Sequence, residues 1–316
     1  MPLITAPVVT PEEPTTPPVE LPEVGYAVVT YIDPAGTRWP MTDLTADWYT
    51  LAKGVSGLGA APYVLTSDPH PRGGARVRHV QPQPRTIVWP VLVKGSDHTT
   101  FTANWRALAR AFTRTLREGP GTLEVARPDG TARRISVYYI SGWDVMGDTA
   151  TGITWDSAVV TLWCEEPYWE DVQPQTVHRE SGAPADFLVP YPTVSSSQVL
   201  GATTVTNPGD VEVWPEWRIT GPASSITFTR GDGAEFVLDM TATVHGALLA
   251  GETVTISTDP PRALSDTGEN LFPGLNWPEA VLWSLPPGET AVTFQLNGAE
   301  AGSAVDLTYY PRYETA

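Results

Sequence analysis

Apolar and polar residues alternate in short runs along most of the chain, a pattern typical of β-strands. Each run is bounded by Gly, Pro or Asp turns. Pro90 interrupts one run, which favours an edge strand or a bulge at that point. The chain is therefore predicted to be mostly β, and the strands of its first half are predicted at residues 26–32, 86–93, 122–126, 131–140 and 153–164.

One segment, residues 97–118, has the periodicity of a helix. Ser96 or Asp97 can cap its start, and the Gly-Pro-Gly at 119–121 ends it. Its apolar residues recur at steps of three or four, which places them on one helix face: Phe101, Trp105, Leu108, Phe112 and Leu116. The first four of these side chains are expected to pack on the sheet of the first domain.

Four arginines lie on other faces of this helix: Arg106, Arg110, Arg114 and Arg117. A row of charge on a helix is usually a solvated face. In a chain with a net charge of −17, a basic row can also dock on an acidic neighbour. Both interpretations stay open, and the four arginines are candidate partner-interface residues.

The second half of the chain has short, regularly spaced apolar runs between Gly and Pro turns, the pattern of a β-sandwich. We place a domain boundary near residue 170, which gives a first β domain at 25–170 and a second at 171–316. The final strand either stays in the sandwich or returns to the first domain. The strands of this half are predicted at residues 203–205, 212–219, 225–230, 235–239, 253–257, 291–296 and 304–310.

Two segments carry no clear strand pattern. Residues 1–24 form a proline-rich extended arm, which cannot build a core of its own. The arm is either a disordered tail or a segment that becomes ordered on a neighbouring subunit. Residues 53–85, rich in Gly, Pro, Arg and His, are interpreted as a long loop or an irregular hairpin.

The charge balance narrows the classes of partner. The chain has 36 acidic and 19 basic residues, so its field repels nucleic acid and anionic membranes. An acidic wall around a channel would nevertheless let DNA slide past without specific binding. The N-terminus lacks the basic and apolar regions of a signal peptide, and no stretch reaches the roughly 18 apolar residues that cross a membrane. We therefore expect a protein made in the cytoplasm, with no membrane partner.

The sequence has no arrangement typical of an enzyme or a metal protein. The single cysteine, Cys164, lies in an apolar run and is interpreted as a small core residue. None of the five histidines has a second ligand at zinc-binding spacing, and neither a Gly-x-Ser-x-Gly nor a phosphate-binding loop is present. Adjacent acids at 165–166 point to opposite faces of a strand and do not converge on one bond. We expect no catalytic residue, cofactor or metal.

Three stretches together resemble the distal tail proteins of siphophages. The first runs from residues 54–58 (Gly-Val-Ser-Gly-Leu) through 61–63 (Ala-Pro-Tyr) to the strand at Trp89 and the helix. The second is residues 162–169 (Leu-Trp-Cys-Glu-Glu-Pro-Tyr-Trp), similar to the family's exit from its first domain. The third is Asn-Pro-Gly-Asp at 207–210 followed by Trp-Pro-Glu-Trp-Arg-Ile-Thr-Gly at 214–221. The order and spacing of these stretches carry the resemblance, which covers residues 25 to about 230.

The resemblance implies a fold and a place in a virion. It implies an N-terminal β domain that forms a hexameric ring and a C-terminal galectin-like β-sandwich outside that ring. In that family the ring connects the tail-tube protein to the tail-tip hub, and DNA and the tape-measure protein pass through its lumen. This chain would then be a structural, non-enzymatic subunit of the phage tail tip. The proline-rich arm departs from the family pattern and leaves the usual N-terminal contacts in doubt.

Two other functions remain as alternatives. A sandwich with exposed tryptophans can be a carbohydrate-binding module for attachment to a host surface, and the candidate stacking residues are Trp214, Trp277 and Trp283. The other alternative is a different virion component or a contractile-injection component, such as a tube or baseplate wedge protein. A glycan-binding assay separates the first alternative from the ring subunit.

Overall fold

Antiparallel β-sheets make up most of the protein in the computed structural model, which describes residues 26–51, 53–143, 153–181 and 198–316. Within these ranges, α-helix is confined to residues 98–118. The prediction of a mostly-β chain with one inserted helical segment is therefore confirmed. The proline-rich arm at 1–24 lies outside the described residues.

The first domain is built on one large sheet with the strand order β2-β1-β7-β8-β9-β6-β3. Among the described strands, β4 and β5 pair with each other alone and form a separate hairpin. The elements are β1 (Val28–Ile32), β2 (Arg38–Pro40), β3 (Trp48–Thr50), β4 (Tyr63–Pro69), β5 (Ala75–Pro82), β6 (Arg85–Lys94), α1 (His98–Thr113), α2 (Thr115–Glu118), β7 (Gly121–Ala126), β8 (Ala132–Ser141), β9 (Trp155–Cys164) and β10 (Trp169–Asp171).

Helix α1 covers one face of this sheet, as its apolar periodicity predicted. Asp97 caps the helix, because its carboxylate accepts hydrogen bonds from the backbone N–H groups of Thr99 and Thr100 at 2.8 and 2.9 Å. The rings of Phe112 and Tyr31 stack with centroids 4.2 Å apart. The predicted inward face is confirmed for its first four residues, which are all buried: Phe101, Trp105, Leu108 and Phe112.

The prediction for the fifth residue of that face was wrong, because the side chain of Leu116 is 59% exposed. Helix α1 ends at Thr113, and Arg114 forms a turn before the short helix α2. Thr115 takes the inward position instead: its hydroxyl donates to the carbonyl of Phe112 and accepts from the N–H of Tyr139. The break in the helix therefore changes which residue faces the sheet.

Pro90 lies in neither an edge strand nor a bulge. Strand β6 lies between β9 and β3, and Pro90 pairs in register with Val159. The Pro90 carbonyl accepts from the N–H of Leu51, just beyond the end of β3, and the proline nitrogen has no hydrogen to return that bond. Pro90 therefore limits the length of β3 and leaves β6 intact.

The second half forms a sandwich of two sheets, with strand orders β11-β19-β13-β16-β17 and β12-β18-β14-β15. Trp217 from one sheet stacks on Phe228 from the other, with ring centroids 4.4 Å apart. Short 3-10 helices span Met240–Ala242 and Phe272–Gly274. The strands are β11 (Gln175–Glu180), β12 (Gln198–Asn207), β13 (Glu216–Thr220), β14 (Ser225–Arg230), β15 (Glu235–Asp239), β16 (Thr253–Thr258), β17 (Pro261–Ser265), β18 (Gly288–Asn297), β19 (Ala304–Tyr309) and β20 (Arg312–Tyr313).

The chain returns to the first domain at its end. Strand β19 belongs to the sandwich, but β20 pairs with β10 through Trp169↔Tyr313 and Glu170↔Arg312. Tyr313 and Ala316 pack against the core of the first domain. Of the two alternatives left open for the end of the chain, strand β19 stays in the sandwich, and the residues after it return to the first domain.

Candidate assembly surfaces

The β4–β5 hairpin presents the largest exposed strand surface of the first domain. Nearly all of its residues are exposed on both strands, and its tip is closed by a hydrogen bond from the N–H of His70 to the carbonyl of Gly74 at 2.9 Å. The hairpin falls within residues 53–85, for which an irregular hairpin was one of the two interpretations. An isolated two-stranded hairpin is marginally stable in water, so this one is expected to gain stability from a partner.

One face of the hairpin is apolar. Leu65 pairs with Val80, and Ser67 pairs with Val77, because the register shifts by one residue at Arg78. This bulge brings Val77 and Val80 to the same face although they are three residues apart. Tyr63 lies on that face as well, two residues before Leu65. An exposed apolar strand surface of this kind is a typical site of pairing with another protein.

The hairpin is also basic within an acidic chain. It carries three arginines and one aspartate, whereas the whole chain carries 19 basic and 36 acidic residues. Arg78 pairs with Asp68 at 2.6 Å, which leaves Arg72 and Arg76 without an ion pair in the part of the chain described. A basic element on an acidic subunit is complementary to the acidic surface of a second copy.

A C-terminal strap, defined here as residues 310–316, holds the base of the hairpin. The carboxylate of Glu314 accepts from the hydroxyl of Tyr63 at 2.5 Å and from the N–H of Ala61 at 2.9 Å. The hydroxyls of Tyr63 and Tyr168 lie 3.0 Å apart. Burial, followed by the hydrogen bond to Glu314, raises the pKa of Tyr63 above its ordinary value. The strap thus fixes the hairpin where it leaves the domain.

Arg85 holds the middle of the strap from inside the domain. Its side chain is buried and donates to the carbonyls of Gly57, Gly59 and Glu314 at 2.8–2.9 Å. Burial lowers the pKa of Arg85, because the charged guanidinium is partly removed from water. Sequence analysis missed this residue. The strand alternation could have revealed it, because Arg85 lies two residues before Ile87 and therefore on the buried side of β6.

Two further arginines hold the end of the strap. Arg127 donates to the carbonyl of Ala316 at 3.2 Å, and Arg133 donates to that of Thr315 at 2.7 Å. The guanidinium of Arg133 also lies over the ring of Tyr313, 3.7 Å from its centroid. These contacts tie the end of the strap to strand β8 and to the turn between β7 and β8.

The Asn-Pro-Gly-Asp motif at 207–210 marks the place where the strap leaves the sandwich. The N–H of Asp210 donates to the carbonyl of Arg312 at 2.8 Å. A Cβ at Gly209 would lie 2.5 Å from that same carbonyl oxygen, so the close approach requires glycine. The amide of Asn207 donates to the carbonyls of Val211 and Leu285, each at 3.0 Å. The motif therefore positions the strap against the sandwich.

The four helix arginines do not share one environment. Arg114 donates to Glu118 at 3.0 Å and lies 3.6 Å from Asp33, so it is bound within the domain. Arg106, Arg110 and Arg117 are exposed and make no ion pair within the described ranges. These three remain available to a neighbouring acidic surface.

The three candidate tryptophans differ in their exposure to solvent. Trp283 is 2% exposed, so the interpretation as a glycan-stacking residue was wrong. Its ring meets that of Trp217 edge-on at 4.7 Å, and its N–H donates to the carbonyl of Phe228, which places it inside the sandwich core. Trp214 and Trp277 are 39% and 49% exposed and remain candidates.

The single cysteine occupies a structural position. Cys164 is buried in the first core, where burial raises the pKa of its thiol to about 12, as fits the predicted small core residue. Over the described ranges, no three His, Cys, Asp or Glu side chains converge as a metal site would require. No helix in these ranges has the length and apolar character to span a bilayer.

The fold is shared with solved phage tail structures. No protein-family model and no curated protein matches the chain. The SPP1 Dit (gp 19.1) protein, described as a paradigm of the hub adsorption apparatus in phages that infect Gram-positive bacteria, superposes with a TM-score of 0.61 over 90% of this chain and 98% of that chain, at 14% identity.

A chain of the phage P2 baseplate in its activated conformation with Ca superposes with a TM-score of 0.55 over 92% of this chain and 99% of that chain, at 11% identity. A chain of the Sr-bound phage p2 baseplate gives the same score and identity. The resemblance to distal tail proteins is thereby confirmed at the level of the fold.

Proposed function

We propose that this protein is a structural subunit of a bacteriophage tail tip that assembles into a ring of six copies around the DNA channel. The observation that carries the proposal is the shared fold, which extends over nearly the whole of the SPP1 Dit chain and therefore includes both domains. The ring would connect the tail-tube protein to the tail-tip hub, with the tape-measure protein in its lumen. The role is structural, without catalysis.

The exposed hairpin is one reason to propose a ring. A ring subunit needs two different, complementary surfaces, because each copy contacts one neighbour with one surface and the next neighbour with the other. An apolar and basic hairpin on an acidic subunit meets the requirement for one of them. Burying its exposed Leu and Val side chains would contribute roughly 1.5–3 kcal/mol each.

The net negative charge of the chain is a second reason, because it suits the wall of a channel for DNA. With a net charge of −17, the wall of such a ring would repel the DNA backbone and let DNA pass without specific binding. The exposed Arg106, Arg110 and Arg117 form the local exception, and we assign them to contact with an acidic neighbouring protein of the tail.

The experiment compares ring formation by matched variants, with mass photometry and negative-stain imaging as readouts. Leu65→Glu with Val80→Glu places two charges on the apolar face of the hairpin and is expected to abolish rings. Leu249→Glu is the control, because Leu249 of the sandwich is 63% exposed and Leu65 is 62% exposed. If the double variant still forms rings, the apolar face of the hairpin is not part of the interface between subunits. Loss of rings in the control would point to a different surface.

A further inference from the structure

The apolar face of the β4–β5 hairpin is continuous from its base to its tip. Four register pairs share this face, and Ser67 is the one polar residue among them: Tyr63↔Pro82, Leu65↔Val80, Ser67↔Val77 and Pro69↔Ala75. All of these residues are exposed to solvent. The opposite face, which carries Val64, Thr66 and Asp68 from β4, is mostly polar. One side of the hairpin is therefore an apolar surface that is open to a partner.

Positive charge lies at the tip end of the hairpin. Arg72 is exposed in the turn between the two strands, and Arg76 is the second residue of β5. Neither makes an ion pair with a described residue, whereas Arg78 is paired with Asp68 at 2.6 Å. The hairpin therefore suits a partner that is apolar along the strands and negatively charged near the tip.

The N-terminal arm, residues 1–24, has this chemistry in its sequence. It contains four glutamates and neither lysine nor arginine, so it is acidic where the hairpin is basic. Its apolar residues include the adjacent pairs Leu-Ile at 3–4 and Val-Val at 8–9, which match the aliphatic side chains of the hairpin face. Its seven prolines fix φ and leave less conformational freedom to be lost on docking.

The arm joins the first domain beside the base of the hairpin. The start of β1 pairs with Ala126, and the next residue, Arg127, donates to the carbonyl of Ala316. The N–H of Ala316 in turn donates to the carbonyl of Leu58, just before the hairpin, at 2.9 Å. An extended chain of the arm's length spans roughly 75 Å, whereas a strand of the length of β5 spans roughly 26 Å. The arm is therefore long enough to reach every part of the hairpin of its own chain.

We propose that the N-terminal arm docks on the apolar face of the hairpin of the same chain. Its apolar side chains would cover Leu65, Val77 and Val80, and its glutamates would lie near Arg72 and Arg76. A tether of this kind gives an effective concentration on the order of millimolar, which in dilute protein exceeds the concentration of a second copy. The proposed ring uses the same face, so docking would compete with assembly. This consequence rests on the proposed function, whereas the docking itself does not.

Disulfide trapping in the full-length protein tests the docking. Val9→Cys in the arm is combined with Val80→Cys on the apolar face or, as the matched control, with Val64→Cys on the opposite face. Val80 and Val64 are 48% and 50% exposed and belong to adjacent register pairs, so an arm without a preferred face would reach both at similar rates. Cys164 is buried and does not compete. We expect a disulfide closed within one chain to form about tenfold faster with Val80→Cys, the ratio that a docking preference of roughly 1.4 kcal/mol produces.

The contribution of charge is tested in the same variants. Replacing the four arm glutamates by glutamine is expected to slow the Val80→Cys reaction about threefold: Glu12→Gln, Glu13→Gln, Glu20→Gln and Glu23→Gln. Equal rates at the two hairpin positions, disulfides that join two chains instead of closing within one, or a rate unchanged by the glutamine substitutions would overturn the proposal. Ring formation is recorded in parallel on the reduced protein, so failure of the arm to dock and failure of the ring to form are separate results.

Discussion

The two domains differ in how many large apolar side chains they expose to solvent. Sixteen of these side chains are exposed among the described residues, and eleven of them belong to the first domain. The sandwich, by contrast, buries its largest aromatics between its sheets, including Trp217, Trp283 and Phe228. Exposed large apolar side chains are therefore concentrated in the first domain, where they are available to a partner.

The difference follows from architecture. In the sandwich, the inner face of each sheet covers the other, so the alternation of β13 sends aromatic residues inward and charged residues outward. In the first domain, helix α1 covers one face of the large sheet. Trp155 and Val159 project from the other face, and the hairpin stands apart from both. We infer that the first domain makes the assembly contacts.

The largest expected effect comes from the core beneath helix α1. Trp105 is buried and meets Trp143 edge-on with centroids 4.8 Å apart. Trp105→Ala is expected to lower the free energy of unfolding by about 3–5 kcal/mol, because it leaves a cavity. Chemical denaturation measures the loss, and Arg106→Ala, one residue away on the exposed side, is the control. A near-neutral Trp105→Ala would mean that this face is not the core.

The next effect concerns the buried guanidinium under the strap. Arg85→Met keeps most of the side-chain volume but leaves three carbonyls without their donor. We expect a loss of about 2–3 kcal/mol in unfolding free energy. Arg110→Met, at an exposed position, is expected to change little. Equal stabilities for the two variants would show that the strap contributes nothing through Arg85.

A smaller effect is expected at Glu314, whose carboxylate ties the strap to the hairpin. Glu314→Gln replaces charge-assisted hydrogen bonds by neutral ones and is expected to cost about 1 kcal/mol. Hydrogen exchange should rise in residues 61–82, while the sandwich strands keep their protection. Glu279→Gln is the control, because this carboxylate is exposed and makes no ion pair with any described residue. Unchanged exchange in the hairpin would separate it from the strap.

The smallest effect concerns pH and the cap of α1. Hydrogen bonds from the N–H and hydroxyl of Thr100 lower the pKa of Asp97 below its ordinary value of 3.8. Because the folded pKa is the lower one, the cap stabilises the protein above the unfolded pKa and loses this contribution as the pH falls through the folded pKa. The difference in Tm between the wild type and Asp97→Asn should shrink below about pH 4. A difference independent of pH would contradict this role.

What the sequence could predict was local. The spacing of Phe101, Trp105, Leu108 and Phe112 identified the inward helix face, and the alternation in the second half identified most sandwich strands. Local pattern does not report breaks such as the one at Arg114, and for this reason Leu116 was misplaced. The strand at Gln175–Glu180 was missed, because its exposed polar residues give no apolar alternation.

The candidate surfaces were less accessible to prediction, because they depend on distant pairings. The residues of β20 lie more than 140 positions after their partners in β10, and no local signal connects Arg85 with Glu314. Trp283 lies in a loop without alternation, so its insertion between the sheets could not be deduced. In the hairpin, the bulge at Arg78 breaks the strand period and hides the apolar face that Val77 and Val80 form together.

The central claim is that the first domain is completed by copies of itself, and the mass of the native particle tests it most directly. Mass photometry of the full-length protein, alone and with the tube and hub proteins added, should give a species at six times the 34.1 kDa chain, with ring-shaped images by negative stain. A uniform monomer under all of these conditions would contradict the account.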